Sequence, residues 1–315
     1  MTTGRVTIVL VTWNSARYLP RCLEGILHQT HRDTELIVVD NASHDDSAAL
    51  VAPHAATIVR NETNRGFSGA VNQAIALASG EFVLLLNPDC FLTAEYIERL
   101  VRVFDDAQTG SATGLLLRAR GFAIEPMTEV DSMGMRMTRS GRHLDLHEGP
   151  REHAFEVFGV SGAAAMHRLA FLRDATIDGE ICDEDFFAYR EDADLAWRGR
   201  LFGWKAICEP RAIAYHVRRV TPEARRELPA DVNMHSVKNR FLLRLKNEGL
   251  YLALRNAPFE LARDLVVIVA ALTIERTSLP AFPWLWRNRK RVLARRREIQ
   301  RRRKVRDHEL ARWFR

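Results

Sequence analysis

Four short runs, Val6–Trp13, Thr34–Asp40, Ala56–Arg60 and Gly80–Asn87, are β-branched or leucine-rich and do not alternate with polar residues. That is the pattern of strands covered on both faces rather than half-solvated ones. Between them, Ala16–His28, Asp45–Ala52 and Gly69–Ala78 have helical spacing and length. Strand, helix, strand at this rhythm predicts an α/β fold: a mostly parallel sheet flanked by helices and wound right-handedly. In such sheets ligands sit beyond the carboxyl ends of the strands.

The rest of the chain reads differently. Arg118–Phe155 is rich in Gly, Arg, Met and His with weak periodicity, which suggests a hairpin or an irregular lobe. A strand-like stretch, Ala212–Val217, carries His216 near its end, and after Pro222 the pattern is helical to the end. The expected division is therefore a sheet domain over residues 1–220 and a helical region over 221–315. The longest apolar run, Leu265–Ile274, is ten residues, too short to cross a bilayer as a helix.

Chemistry collects where the predicted strands end. The four ends lead into Thr12-Trp13-Asn14-Ser15, Asp40-Asn41, Asn64-Arg65-Gly66 and Asn87-Pro88-Asp89. Each alone could be a turn or a helix cap; together they place small polar groups and acids on one rim. Asp89 leaves an oily strand with no basic residue beside it, and a hard carboxylate there suits Mg²⁺ or Mn²⁺. His216, at the end of its own strand, would be a second ligand only if that strand lies beside the Asn87-Pro88-Asp89 turn. A further run, Asp183–Asp194, holds six acids and one base just before an amphipathic helix. Acids there can complement a helix dipole. Two acidic clusters around Phe186, Phe187 and Tyr189 exceed that need, so a general base is expected, Asp192 ahead of Glu191.

Charge changes the picture at the carboxyl end. Arg287–Arg315 holds 14 Lys/Arg against three acids, a local net of +11, which leaves −5 for residues 1–286 out of the total of +6. Aromatic Phe282–Trp286 followed by this run suggests docking of residues 282–306 on an anionic membrane surface. Nucleic-acid binding through the same arm would explain the tail but leave the rim unexplained. Four cysteines at wide spacing, with no CxxC pair, indicate neither a zinc cage nor a disulfide framework, and a reducing cytosol fits them. A strand-like segment starting at Val6 leaves no room for a secretory signal, so a cytoplasmic protein, peripheral at the inner face of the membrane, is expected.

Taken in order, VTWNS (11–15), VVDNASHDDS (38–47), NETNRGFSGAVNQAI (61–75), LLLNPDC (84–90), GVSGAAAMHR (159–168), FFAYREDADLAWRGRLFGW (186–204) and AYHVRR (214–219) resemble the inverting family-2 glycosyltransferases of GT-A fold, in particular a rhamnosyltransferase-like branch. The resemblance implies a nucleotide-sugar donor, with dTDP-rhamnose favoured and UDP-galactofuranose or another hexose donor next. It implies an acceptor hydroxyl on a glycan or a polyprenyl-diphosphate-linked sugar in cell-envelope polysaccharide synthesis. Thr12, Asn14, Asp40 and Asn41 would contact the nucleotide, and Arg65, Gly66, Asn72 and Asn87 would line the donor pocket. Asp89 and His216 would hold the metal, Asp192 would be the base beside Glu191, and Ser161, Gly162 and Trp197 would face the acceptor. NPD stands where other members carry DxD, so Asn87 replaces the first acid of that pair.

Overall fold

The structure is a computed structural model; it describes residues 4–120, 125–147, 149, 151–218 and 230–315. The strands are β1 (Val6–Thr12), β2 (Thr34–Asp40), β3 (Thr57–Arg60), β4 (Phe82–Leu86), β5 (Cys90–Leu92), β6 (Thr109–Arg120), β7 (Glu125–Ser132), β8 (Met135–Met137), β9 (His143–Asp145), β10 (Phe155–Val157), β11 (Ala164–Arg168) and β12 (Lys205–His216). The helices are α1 (Leu19–Leu27), α2 (Ser47–Val51), α3 (Gly66–Ala76), α4 (Tyr96–Val103), α5 (Leu169–Ala175), α6 (Glu191–Leu201), α7 (Ala230–Asn247), α8 (Leu250–Thr273), α9 (Ala281–Arg302) and α10 (Asp307–Leu310). Among the described residues one mixed sheet runs β10-β12-β6-β11-β4-β1-β2-β3, with β5 on β12 and β7 on β6. β1, β2, β3 and β4 pair in parallel, and β11 runs antiparallel between β4 and β6.

The apolar runs form buried strands because successive side chains serve two cores. Ile8, Leu10, Val38, Leu84 and Leu86 face α1 and α4, while Val9, Val11, Ile37, Val39 and Leu85 face α3 and α5. Each such side chain contributes roughly 1.5–3 kcal/mol on burial. β3 departs from the sequence reading: it is the sheet edge, with Thr57 and Arg60 exposed and Ile58 and Val59 only half-covered. Thr93 donates its hydroxyl to Ile213 O at 2.7 Å, which ties the turn before α4 to β12, and α4 starts at Tyr96.

A further core joins the sheet domain to the helical region. Phe158, Phe186, Trp197 and Leu201 pack with Leu242, Leu243, Leu252, Val292 and Ile299. The expected boundary at 220–221 lies outside the described residues. The basic tail is not a free arm. Within α9, Arg295 pairs with Asp183 and with Glu180 at 2.7 Å, and Arg291 reaches Asp185 at 3.0 Å. From α7, Lys246 pairs with Asp183 and with Asp194 at 2.9 Å, while Arg198 holds Asp194 at 3.0 Å. Half of the acidic run at 183–194 therefore anchors the carboxyl-terminal helices.

Candidate active site

β5 fixes the geometry that the sequence left open. It leaves the NPD turn and pairs antiparallel with the end of β12, His216 opposite Cys90, and Val217 N donates to Asp89 O at 2.9 Å. This brings His216 Nε2 to 3.6 Å from Asp89 Oδ1. On the ring's other side Nδ1 sits 2.8 Å from Asp131 Oδ2, a carboxylate of β7 that is fully buried. Burial works against a charged ring, but the Asp131 hydrogen bond and nearby Asp89 prevail and push His216 up to about 9. Burial likewise works to raise Asp131, yet His216, Arg218 at 3.1 Å and Arg118 hold it below the usual carboxylate range.

Asp89, an imidazole and a carboxylate behind that imidazole form a set suited to a divalent cation, with Asp131 fixing the tautomer and aim of His216. Asp89 Oδ1 and His216 Nε2 are close enough to share one ion. Among the described residues no cluster of three or more acids, histidines or cysteines could hold a metal by itself. The remaining ligands would have to be phosphate oxygens and water, as Mg²⁺ commonly accepts. The residue opposite Asp89 in the ligand-free protein is thus His216, and metal binding would release its proton.

Asp89, His216 and Asp192 line one cavity of about 490 Å³, together with Asn87, Ser161 and Gly162. Asp192 lies in the first turn of α6, where the helix's positive end favours a carboxylate. Its Oδ2 accepts from Gly162 N at 3.2 Å and its Oδ1 from Ala193 N at 2.7 Å. Burial raises its pKa above the ordinary aspartate value despite those two donors. Glu191 is deeper: burial, then the adjacent Asp192, push it up to about 8, and its Oε2 has no hydrogen-bond partner among the described residues. Burial and the adjacent Asp192 thus favour the protonated form of Glu191, which leaves Asp192, held by two amide donors, the better base of the two.

The approach to α6 is strained. Phe187, Tyr189 and Arg190 all have positive φ, at 65°, 69° and 74°, which non-glycine residues adopt at a cost of about 1–3 kcal/mol each. Asn239, fully buried on α7, holds that loop: its Nδ2 lies 2.8–2.9 Å from the carbonyls of Phe186, Ala188 and Tyr189. Gly66 meets the same loop from the donor side with φ 73°, where a Cβ would fall 2.5 Å from Phe187 O.

The other rim residues divide. Thr12 and Asp40 stand opposite each other at the ends of β1 and β2, and Thr12 Oγ1 and Asp40 Oδ1 are buried without partners among the described residues. Buried orphans of this kind call for a ligand or water. Asn14, in the left-handed region at φ 49°, accepts from His44 N at 2.8 Å and shapes the rim. Arg65 is exposed, 3.8 Å from Glu184. Three expectations need correcting. Asn41 cannot contact a nucleotide with its side chain, because Asn61, Asn64, Arg65 and Gly66 saturate both ends of its amide. Asn72 is committed elsewhere: its amide braces Cys182 N and O at 2.9 and 2.8 Å. Trp197 is fully buried, 5.1 Å from Phe314 and edge-on to Phe158, so no acceptor can reach it.

Asp131 and Asn239 were missed. Asp131 falls in a segment without periodicity, and Asn239 belongs to a helix whose partners are about 50 residues away in sequence.

The sequence model of the family described as Glycosyl transferase family 2 matches residues 7–159. EpsH of Bacillus subtilis, which carries a glycosyltransferase name, is 24% identical over 276 residues, covering 82% of this chain and 70% of EpsH. An uncharacterized glycosyltransferase of Nostoc is 32% identical over 118 residues, covering 36% of this chain and only 35% of its own length. Among solved structures, the mannosyltransferase PcManGT of Pyrobaculum calidifontis, in complex with GDP-Man and Mn²⁺, superposes with a TM-score of 0.56 at 21% identity, covering 95% of this chain and 84% of that one. At that identity the likeness speaks to fold, a mostly parallel sheet flanked by helices, and the match to the family 2 glycosyltransferase model is a resemblance over residues 7–159, just under half of the chain.

Proposed function

We propose that this protein transfers a sugar from a nucleoside-diphosphate sugar to an acceptor hydroxyl with inversion at the anomeric carbon. The observation that carries the reading is the shared cavity: Asp192, with no cation within ion-pair reach among the described residues, opens into the same space as Asp89 and His216. The orphaned Thr12 and Asp40 groups supply a polar seat for the nucleotide at the neighbouring strand ends.

In this reading Asp192 takes the proton of the acceptor hydroxyl. Its two amide donors keep the carboxylate aimed, and its raised pKa makes it a better proton acceptor than an exposed aspartate. Ser161 and Gly162 form the acceptor-side wall, and the Gly162 amide holds the base. Mg²⁺ or Mn²⁺ on Asp89 and His216 would neutralise the departing nucleoside diphosphate, the larger contribution to the rate in such displacements. Asp131 would keep the imidazole in place.

Motif resemblance supports L-rhamnose from dTDP-rhamnose as the transferred sugar, with UDP-galactofuranose as the second reading, and a glycan or polyprenyl-diphosphate-linked acceptor. PcManGT holding GDP-Man and Mn²⁺ supports the coarser choice of a nucleotide sugar with a divalent ion. The test is a donor screen by calorimetry and by slow donor hydrolysis, with Mg²⁺ or Mn²⁺. Metal-dependent binding of dTDP-rhamnose ahead of other donors supports the full proposal; preference for another sugar overturns the rhamnose assignment; no binding of any nucleotide sugar overturns the function.

A further inference from the structure

α8 is built inside out. Its charged residues turn inward: Asp264 accepts from Arg240 at 3.1 Å and pairs with Arg244, and Glu260 meets Arg244 at 3.0 Å, so the seam between α7 and α8 is ionic. Its outward side carries Leu254, Leu261, Leu265, Val269 and Leu272, which fall within an arc of roughly 80° on an ideal helix. Leu254, Leu261 and Leu265 are 63–70% exposed. No ionisable residue interrupts that stripe, and Ile274 and Trp286 beyond it are exposed as well. An ordinary surface helix has the opposite polarity, apolar side to the core and charges to water. An apolar patch of this size on a chain with an ionic interior seam marks an interaction face.

Charge decides the occupant. Past the end of α8, exposed Arg276, Arg287, Arg289, Lys290 and Arg297 have no acidic partner within 4 Å among the described residues. Arg289 stacks on Trp286 at 4.2 Å, which sets an aromatic ring among the cations. A second copy docked about a two-fold axis would bring these like charges together. An anionic lipid surface answers both features, burying the leucine stripe and meeting the cations. Among the described residues no single helix is long and apolar enough to cross a membrane, and α8 with the helix after it passes that test only as a pair bent by 109°; the cations on the second member favour an interfacial seat.

We infer that the outward leucine face of α8, with the exposed cations that follow it in the chain, seats this protein on an anionic bilayer surface. This shifts the docking element from the basic tail, much of which is committed to Asp183, Asp185 and Glu180, to the apolar helix before it. The inference does not depend on the transferase reading.

The experiment is co-sedimentation of the full chain with large vesicles of phosphatidylcholine alone or with one quarter phosphatidylglycerol. Wild type should bind the anionic vesicles. Leu261→Glu with Leu265→Glu should lower partitioning at least tenfold on both compositions, and Leu254→Gln with Leu272→Gln should lower it in the same direction. Arg287→Gln, Arg289→Gln and Lys290→Gln together should lower it only on anionic vesicles, as should 0.5 M NaCl. Because these side chains are exposed, unchanged circular dichroism and melting temperature are expected of every variant. Wild type that stays in the supernatant, or glutamate variants that bind like wild type, overturns the inference. So does a wild-type dimer in analytical ultracentrifugation that the glutamate pair converts to monomer, which would give the face to a second copy.

Discussion

Lys246→Met tests how the carboxyl-terminal helices hold the base in place. Lys246 is 1% exposed and lies between Asp183 and Asp194, which are 5% and 0% exposed. Its removal strands no carboxylate completely, since Asp194 keeps Arg198 and Asn247 at 3.0 and 2.7 Å and Asp183 keeps Arg295. Two buried anions would nevertheless lose their common counter-ion, a change that costs about 3–5 kcal/mol. For 315 residues the unfolding entropy is roughly 0.7 kcal/mol/K, so the melting temperature should fall by about 5–8 °C. Acid sensitivity supplies a second readout. Burial raises Asp183, but Lys246 and Arg295 prevail and hold it far below the ordinary 3.8. A carboxylate with a lowered folded-state pKa contributes stability that is present above its unfolded value and lost as pH falls through the folded one. Wild type should therefore destabilise on acidification below about pH 4, and Lys246→Met should show a smaller change over that range. The assay is urea unfolding at pH 3, 5 and 7 with calorimetry at pH 7, alongside the Asp194→Asn cycle, whose coupling should be about 1–3 kcal/mol. A melting temperature within 2 °C of wild type, or an unchanged acid limb, would refute the bridging role.

Asp131→Asn removes the carboxylate behind His216 without touching a donor ligand; metal-dependent donor affinity should fall about 10–100-fold, measured by calorimetric titration at fixed Mn²⁺, while metal-independent nucleotide binding stays put. Asn239→Ala frees three carbonyls of the strained loop and should lower kcat about tenfold or more with little change in donor affinity; an unchanged kcat would make the clamp dispensable. Gly66→Ala places a Cβ against Phe187 O at φ 73° and should destabilise by about 1–3 kcal/mol in urea unfolding. An unaffected midpoint would show that the loop gives way freely.

The sheet was legible because buried parallel strands need uninterrupted apolar runs, and β1, β2 and β4 have them. β3 was misread as doubly covered because a strand's place at the sheet edge depends on pairing order, which its four residues do not encode. The rim was legible as residue types but not as roles. Asn41 and Asn72 look like ligand contacts until their amides are found spent on neighbouring backbone and asparagine groups, and Trp197 follows the base on α6 yet turns into the core. The acids from 183 to 194 divide between chemistry and anchoring because Lys246, Arg291 and Arg295, more than 50 residues away, claim Asp183, Asp185 and Asp194. The stripe on α8 reads identically whether it faces a core or the outside; only the inward salt bridges reveal its direction.

The claim on which the functional reading rests is that Asp89 and Asp192 act on opposite sides of one donor sugar. Paired calorimetry and single-turnover transfer on Asp192→Asn and Asp89→Ala address it most directly. Asp192→Asn should keep donor affinity within about twofold while transfer drops by about 10²–10⁴, and Asp89→Ala should lose metal-dependent donor binding itself. If Asp192→Asn abolishes donor binding, or Asp89→Ala binds donor and metal normally, the two carboxylates do not hold these roles.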